Sequence, residues 1–408
     1  MKTKRLSIFL ILILSVLISS CSNSNRDLNP KELIGGLELI SPEISGITFN
    51  NAIQETETFN HIYYNQIYSG AGVAIGDINN DGLADIFFCG NKVADKLYLN
   101  KGDLKFEDIS KNSKITRSPG WSWGVTMVDI NSDGYLDIYV SRNGESMTPS
   151  DRKNKLFINN KNLTFSESAQ EYGLADAGFS SQAVFFDMDN DGDLDMYQVN
   201  QMPDARLLKR YKNIPKERLK YYTDKFYKND NGKYIEVSKE VKLINKYTYG
   251  LSVSASDLNN DGWVDLYVSN DYDEPDFLYY NNGNGTFRNV INEKTKHISR
   301  FSMGTDTGDI NNDGAMDIFT LDMAAEDHYR SKTNMKSMNS EEFNNMIAKG
   351  DHYQYMYNTL QINNGFGEFS DVAHIAGLSK TDWSWGGLMV DVCLLYTSDA
   401  ADDEDSVD

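Results

Sequence analysis

A nine-residue pattern, D-x-[DN]-x-D-G-x-x-D, occurs five times in this chain of 408 residues. Each copy places side-chain oxygens at positions 1, 3, 5 and 9 and a glycine at position 6. A hard cation such as Ca²⁺ takes about six to eight oxygen ligands, and glycine permits the sharp turn that wraps a loop around it. Hairpin turns rich in Asn, Asp and Gly need no metal. Five copies with the same three aspartates nevertheless predict calcium sites, because crowded carboxylates repel one another unless a cation intervenes.

The predicted side-chain ligands occupy positions 1, 3, 5 and 9 of each loop. In chain order they are Asp77, Asn79, Asp81 and Asp85; Asp129, Asn131, Asp133 and Asp137; Asp187, Asp189, Asp191 and Asp195; Asp257, Asn259, Asp261 and Asp265; and Asp309, Asn311, Asp313 and Asp317. The third loop alone has aspartate at position 3, so its four carboxylates predict the tightest calcium binding of the five.

The residues around the loops exclude an EF-hand. That motif needs a bidentate glutamate at position 12 and a helix on each side. Position 12 is instead occupied by Phe88, Val140, Gln198, Val268 and Thr320. The loops are followed by aromatic and β-branched triplets such as Ile138-Tyr139-Val140, which favour β-strands. Each loop is therefore predicted to be the tip of a β-hairpin.

A longer repeat surrounds each loop. The first aspartates lie 52, 58, 70 and 52 residues apart, a period typical of one four-stranded propeller blade. Third strands are predicted at residues 96–100, 155–159, 225–229 and 277–281, and fourth strands at 105–109, 164–167 and 286–290. The predicted fold is all-β: a β-propeller of four-stranded blades with small helical inserts. It is expected to be incomplete, with five to six of about seven blades, since a sixth unit begins at Trp383–Gly386 and a sixth loop is expected at Asp391.

The chain ends suggest export and an interrupted repeat. A basic start, a short apolar run and Ser19-Ser20-Cys21 describe a signal peptide for residues 1–21. The run is too short for a membrane span, and an ordinary signal peptide with a chance cysteine is the alternative to lipidation at Cys21. Residues 22–32 form a predicted tether, and 33–392 the propeller. Residues 393–408 resemble translated sequencing-adapter read-through, with a genuine acidic tail as the alternative.

The net charge of the chain and its cysteine and histidine residues disfavour several classes of function. The formal net charge of −21 disfavours nucleic acid, whose recognition needs basic patches. Cys89 is expected to be a buried apolar residue, and the five histidines show no metal-ligand spacing.

Gly120-Trp121-Ser122-Trp123-Gly124 matches the G-x-S-x-G hydrolase pattern. Its near-copy at Trp383–Gly386 indicates repeat architecture instead, so no catalytic residue is predicted.

Two inserts, residues 202–223 and 323–357, lengthen the repeat. The first is basic and aromatic. The second contains a predicted helix near 340–348, with Ser340 as its cap and Glu341 and Glu342 in its first turn. Inserts in repeat proteins often gather on one binding face. Packing against the rim of the blades is the alternative.

The loops, together with Gly70-Ala71-Gly72-Val73-Ala74-Ile75-Gly76-Asp77 and Leu97-Tyr98-Leu99-Asn100-Lys101-Gly102, resemble FG-GAP/VCBS repeats of the integrin-α-type β-propeller. The signal and the inserts resemble ASPIC/UnbV-like surface lipoproteins of the Bacteroidota type. This resemblance implies a calcium propeller in which position 7 supplies a backbone carbonyl ligand. The position-7 residues are Leu83, Tyr135, Asp193, Trp263 and Ala315.

Two classes of function remain. The favoured hypothesis is a non-catalytic binding or scaffolding module on the outer membrane, anchored through Cys21, that recognises a glycan or a protein while about five Ca²⁺ ions keep the blades rigid. The alternative is a propeller-fold polysaccharide lyase or another carbohydrate-active enzyme. A lyase would need Lys, Arg, His or Tyr side chains clustered in one channel.

Overall fold

The computed structural model describes residues 39–64, 66–115, 120–144, 148–202, 219–244, 246–272, 274–333, 339–348 and 350–390. The chain divides into two compact units, Met1–Ser45 and Gly46–Asp408. The described part of the first unit holds one short helix, α1 (Pro42–Ser45). The predicted signal, the tether, Cys21, Asp391 and the terminal segment 393–408 lie outside the described residues.

Five four-stranded antiparallel sheets, called blades one to five, form the second unit, and strands pair in chain order within each. Blade one contains β1 (Val73–Gly76), β2 (Asp85–Phe88), β3 (Lys96–Asn100) and β4 (Phe106–Asp108). Blade two contains β5 (Trp121–Val128), β6 (Asp137–Asn143), β7 (Lys155–Asn159) and β8 (Phe165–Glu167). Blade three contains β9 (Ser180–Phe186), β10 (Asp195–Asn200), β11 (Lys225–Asp230) and β12 (Lys233–Glu236). Blade four contains β13 (Gly250–Ser256), β14 (Asp265–Asn270), β15 (Phe277–Asn281) and β16 (Phe287–Asn289). Blade five contains β18 (Thr305–Gly308), β19 (Asp317–Thr320), β22 (Thr359–Asn363) and β23 (Phe369–Asp371). The all-β, propeller-like fold predicted from the repeat is confirmed.

Short strands and helices complete the second unit. Two small strand pairs are β17 (Ile298–Ser299) with β21 (Gln354–Tyr355), which is parallel, and β20 (Met323–Ala324) with β24 (Asp382–Trp383), which is antiparallel. The helices are α2 (Ala169–Tyr172), α3 (Ile291–Lys294), α4 (His328–Thr333) and α5 (Ser340–Ala348), and Pro149–Arg152 forms one 3-10 turn. The helix α5 has the predicted bounds, but Ser340 does not cap it. The Asn339 carboxamide oxygen instead accepts the N–H of Glu341 at 2.9 Å, because it precedes the helix by one residue.

Each nine-residue loop joins the first and second strands of a blade. The residue before position 1 pairs with the aspartate at position 9 in all five blades: Gly76 with Asp85, Val128 with Asp137, Phe186 with Asp195, Ser256 with Asp265, and Gly308 with Asp317. The predicted hairpin tips are thus confirmed.

The hydrophobic core lies between successive blades. One buried cluster joins Phe87 and Leu97 of blade one to Ile138 and Phe157 of blade two. Three further clusters join blades two and three, three and four, and four and five. Since most blades are covered on both faces, their strands are apolar on both sides instead of alternating. Aromatic side chains supply much of this burial, and each large side chain contributes about 1.5–3 kcal/mol when fully buried.

The first strands of successive blades contact one another. Glycines make this approach possible: a Cβ on Gly124 would lie 2.2 Å from the carbonyl oxygen of Ser181, and one on Gly72 would lie 2.9 Å from that of Trp123. The Ser181 hydroxyl donates a hydrogen bond of 2.7 Å to the Gly250 carbonyl oxygen, which links blades three and four. These strands surround a cavity of about 350 Å³ that all five blades help to line.

The long connections leave the blades opposite the loops. In an antiparallel sheet, the turn between strands one and two and the connection between strands two and three lie at opposite ends. Residues 201–224 join β10 to β11, and residues 321–358 join β19 to β22. Both inserts therefore emerge from the end of a blade that does not carry the nine-residue loop. In the described part of the chain, no helix combines the length and the apolar character needed to cross a bilayer.

Candidate metal centre

The carboxylate at position 1 organises each loop. Its two oxygens accept the N–H groups of positions 5 and 6, at 3.2 and 2.7 Å in the first loop, where Asp77 faces Asp81 and Gly82. The same pair of hydrogen bonds recurs in the other four loops. The position-6 glycines have φ between 84° and 90°, a conformation that disfavours other residues. The glycine requirement therefore follows from the turn that brings this N–H to the carboxylate.

The aspartate at position 9 ties the loop to its blade. Asp85, Asp137, Asp195, Asp265 and Asp317 are all fully buried. One oxygen accepts the N–H of position 2 at 3.0–3.3 Å. The other accepts the N–H of the asparagine that closes the third strand, at 2.7–2.8 Å. Burial raises the pKa of Asp137 to about 6, of Asp195 to about 7 and of Asp265 to about 8.

Positions 3, 5 and 7 complete the loop. The position-5 carboxylate accepts the N–H of position 7 at 2.9–3.1 Å in all five copies. Carboxylate oxygens of Asp187, Asp189 and Asp195 lie within 4.8 Å of one another. The Oδ1 atoms of Asp189 and Asp193 are buried and accept no hydrogen bond. A hard cation would satisfy such oxygens, so this donor set fits Ca²⁺.

All the predicted loop ligands thus lie in equivalent hairpin tips, one set per blade. Neighbouring tips also touch. The Asn80 carboxamide donates a 2.8 Å hydrogen bond to the Gly134 carbonyl oxygen, which joins the first two loops.

A second set of residues, the closing asparagines, connects the loops between blades. Each of these residues lies at the end of a third strand, or one residue before the end in the case of Asn229: Asn100, Asn159, Asn229, Asn281 and Asn363. Three of them donate from Nδ2, at 2.8 Å, to the position-2 carbonyl of the preceding blade's loop: Asn159 to Ile78, Asn281 to Met188, and Asn363 to Leu258. The sequence pattern alone does not indicate that this position links blades, although asparagine recurs there at the same register in every repeat.

A third polar position precedes the third strand, where Asp95, Asn154, Asp224, Asp276 and Asn358 stand. Asp224 accepts the Tyr197 hydroxyl at 2.8 Å, and Asp276 accepts the Tyr267 hydroxyl at 2.7 Å. Burial raises the pKa of Asp224 to about 6 and that of Asp276 to about 7. These carboxyls hold the ends of the blades that lie opposite the loops, and they are too far along the strands to be loop ligands.

The remaining residues considered in the sequence, Ser122, Cys89 and His297, lie in a strand, in the core and at a contact between elements. Ser122 lies within β5 and donates to Asp95 at 3.0 Å, so the G-x-S-x-G match is part of a strand and not a strand-to-helix turn. Cys89 is buried in the core between blades one and two, and burial raises the pKa of its thiol. His297 lies 2.9 Å from Asp371 and 3.0 Å from the Tyr357 hydroxyl. These contacts bind the end of blade five to the second insert.

The described residues that line the central cavity carry no ionisable side chain. The lining combines glycines and apolar side chains with uncharged polar ones, and Gly72, Gly124, Gln182, Ser252 and Gly304 are among its members. A lyase needs a base and a group that neutralises a carboxylate, and these lining residues supply neither.

The sequence matches a known repeat in three places. Residues 77–140, 146–197 and 257–320 each match the FG-GAP-like repeat. Three segments of this chain are thus similar to the FG-GAP-like repeat. The first match covers β2 to β4 of blade one and continues into β6 of blade two. The second covers β7 and β8 of blade two and continues into β10 of blade three, and the third covers β14 to β16 of blade four and continues to the end of β19 in blade five. Together the three matched segments contain all five nine-residue loops.

One relative is similar in sequence to a short part of this chain. Cartilage acidic protein 1 of Xenopus tropicalis is 36% identical over 81 residues, which is 20% of this chain and only 12% of that protein.

Three solved structures are similar in part. An Agrocybe aegerita lectin, described as recognising non-reducing terminal N-acetylglucosamine, is 16% identical (TM-score 0.38; 73% of this chain and 64% of that chain). The Vibrio cholerae biofilm matrix protein Bap1 is 15% identical (TM-score 0.34; 63% and 35%). A Bifidobacterium bifidum protein provisionally assigned as an exo-β-1,3-galactanase is 7% identical (TM-score 0.33; 61% and 81%). At these TM-scores the superpositions are too partial to transfer a function.

Proposed function

We propose that each of the five hairpin loops binds one Ca²⁺ and that the protein is a calcium-stabilised, non-catalytic module for binding or scaffolding. The observation that carries this proposal is the fivefold repetition of one hydrogen-bond scheme around the carboxylates of positions 1, 5 and 9, together with the approach of the Asp187, Asp189 and Asp195 carboxylates to within 4.8 Å in the third loop. FG-GAP-like repeats in the same positions support it.

Calcium would act on stability through the blade joints. Without a cation, each loop holds at least three carboxylates close together, and their repulsion opposes the folded hairpin. A bound ion would reverse this penalty. The position-2 carbonyls that receive Asn159, Asn281 and Asn363 belong to the same loops, so an ordered loop also fixes the next blade. The residues that would hold the ion are the predicted ligands at positions 1, 3, 5 and 9, with the carbonyl at position 7.

The partner is proposed to be a glycan or a protein. The blade ends opposite the loops carry both long inserts, and aromatic side chains there are available for stacking: Tyr353 is 47% exposed and Tyr329 is 74% exposed. Other insert residues pack inward, since Tyr222 is buried against Phe179 and Tyr249. Display on the outer membrane through a lipid on Cys21 remains a proposal.

Removal of calcium tests the proposal that the hairpin loops bind this ion. In native mass spectrometry we expect about five bound Ca²⁺, and we expect chelation to lower the melting temperature. An ion at about one hundred times its Kd adds roughly 2.7 kcal/mol per site. The variant D257N should lose one ion and part of the stabilisation by calcium, whereas D103N, at an exposed turn outside the loops, should behave as the wild type. An unchanged melting temperature with no bound ions would overturn the proposal.

A second experiment tests the proposal that the protein binds a glycan without cleaving it. The calcium-loaded protein is incubated with anionic polysaccharides, and unsaturated products are sought. Binding to a glycan without such products supports a binding module, whereas product formation would establish the lyase alternative.

A further inference from the structure

The third loop differs from the other four in its charge. It contains five aspartates in nine residues, at positions 1, 3, 5, 7 and 9, whereas each of the other loops contains three. The two additional acids are Asp189 at position 3, where the other loops have asparagine, and Asp193 at position 7. Both contribute a buried oxygen that accepts no hydrogen bond. The third loop therefore contains more carboxylate oxygens than its hydrogen bonds satisfy.

A lysine faces the same loop from the third strand of blade three. The Lys228 ammonium forms an ion pair with Asp189 and lies 3.7 Å from the carboxylate of Asp191. The side chains of Lys228 and Asp189 are 37% and 23% exposed, so solvent screens the pair only in part. Lys228 immediately precedes Asn229, whose N–H binds Asp195 at position 9. The strand register thus places the ammonium at the mouth of the loop.

The lysine and the additional acid occur in the same repeat. In the other blades, the residue before the closing asparagine is Leu99, Ile158, Tyr280 or Ile362. The repeat with aspartate at position 3 is also the one with lysine at this strand position. Lys161 contacts Asp133 of the second loop at 3.5 Å, but it does so from the turn after the third strand and at position 5. Only in the third repeat does a strand lysine pair with position 3 among the described residues.

We propose that Lys228 is a built-in counter-cation that sets the calcium affinity of the third loop, a role that rests on the proposed calcium binding of these loops. An incoming Ca²⁺ must separate the ammonium from Asp189 and then meets its positive charge nearby. The third loop therefore binds calcium less tightly than its four ligand carboxylates alone would dictate. The ammonium also keeps the carboxylates of the loop together when calcium is scarce.

The test replaces Lys228 with the residue found at the same position in blades two and five. K228I should tighten calcium binding of the third loop by roughly two- to fivefold, within the range expected for a partly exposed charge pair. The affinity is measured by competition with a chromophoric chelator, with ion counts from native mass spectrometry. D187N identifies the third-loop ion by its loss. K233M, which removes an exposed lysine of the same blade, is the matched control and should leave the affinity unchanged.

A double-mutant cycle checks the pairing itself. The gain from K228I should shrink in the D189N background, and D189N/K228I should bring the third loop to the affinity of the other four. Transplanting the pair gives a test independent of blade three: N131D/I158K should bind calcium less tightly at the second loop than N131D. Unchanged or weaker third-loop affinity in K228I, while the wild type still binds five ions, would overturn the role of Lys228 alone. A wild type that binds no calcium would overturn both proposals.

Discussion

At the residue scale, a buried aspartate and a buried asparagine form the joint that links blades two, four and five to the preceding blade. The aspartate at position 9 accepts two backbone N–H groups, one from its own loop and one from the closing asparagine. The asparagine side chain then reaches the preceding blade, as Asn159 does at the Ile78 carbonyl. A hydrogen bond of this kind contributes about 0.5–1.5 kcal/mol net, but an unpaired buried partner costs about 1–3 kcal/mol. The joint is therefore sensitive to the loss of either member.

We predict that N159A lowers the free energy of unfolding by about 1–3 kcal/mol, because the carbonyls of Ile78 and Leu136 lose their donor. Urea unfolding in saturating calcium measures the change. N160A is the control, since the Asn160 residue is exposed and its side chain forms hydrogen bonds with Thr164 and with Ser166 of the neighbouring strand β8, both in its own blade. Equal stability of N159A and wild type would show that the joint does not hold blades one and two together.

At the element scale, the spacing of the first strands decides which residues are allowed. The strands β5 and β9 lie so close that Gly124 has no room for a side chain beside the Ser181 carbonyl. Gly386 occupies the corresponding place in the Trp383–Gly386 copy of this motif, yet no atom outside its neighbours lies within 4 Å of where its Cβ would be. The same sequence pattern thus meets two different packing environments.

Because the two glycines have different packing environments, a methyl group added at Gly124 and one added at Gly386 should have different effects on stability. G124A should destabilise the protein by about 1–3 kcal/mol, the usual cost of overpacking, because the two strands must separate. G386A should change stability by less than about 0.5 kcal/mol. Thermal and urea unfolding of the two variants side by side give the comparison. Similar effects in both would contradict the close approach of β5 and β9.

At the scale of the whole molecule, the core is divided among the interfaces between blades, and the outward face of blade one is less covered. Val73 and Ile75 of β1 are 53% and 66% exposed, and they point the same way because successive strand residues alternate. Exposed apolar side chains grouped on a strand favour association.

We predict that V73T/I75T reduces self-association of the calcium-loaded protein and changes its melting temperature little. Light scattering over a concentration series measures association. I235T is the control, because Ile235 is 50% exposed on a single position of blade three. Scattering that is the same for V73T/I75T and wild type, or reduced equally by I235T, would show that this face does not drive association.

Repetition explains why so much was predictable. Five copies of one pattern reveal which residues share a role, so the loops, the strand order within a blade and the third strands followed from counting. The fourth strand of blade three, Lys233–Glu236, was not predicted, because the sequence after Asn229 lacks the phenylalanine with which the fourth strand begins in the other blades. The helix cap was assigned one residue late, at Ser340 instead of Asn339, because both residue types cap helices and only their backbone positions distinguish them.

The sequence by itself determined the local chemistry: five turns rich in carboxylates, the strands that flank them and the glycines that the turns require. These depend on residues within about ten positions of one another, and local backbone geometry dictates them. Only the tertiary structure decided which carbonyl Asn159 binds, why Gly124 must be a glycine and that Lys228 faces Asp189. Each of these contacts joins residues far apart in the chain, on separate strands or blades. The distance between such residues depends on how blades pack, which no periodicity along the chain encodes. The five hairpin loops were therefore readable from the sequence, whereas their connection to one another and the lysine at the third loop were not.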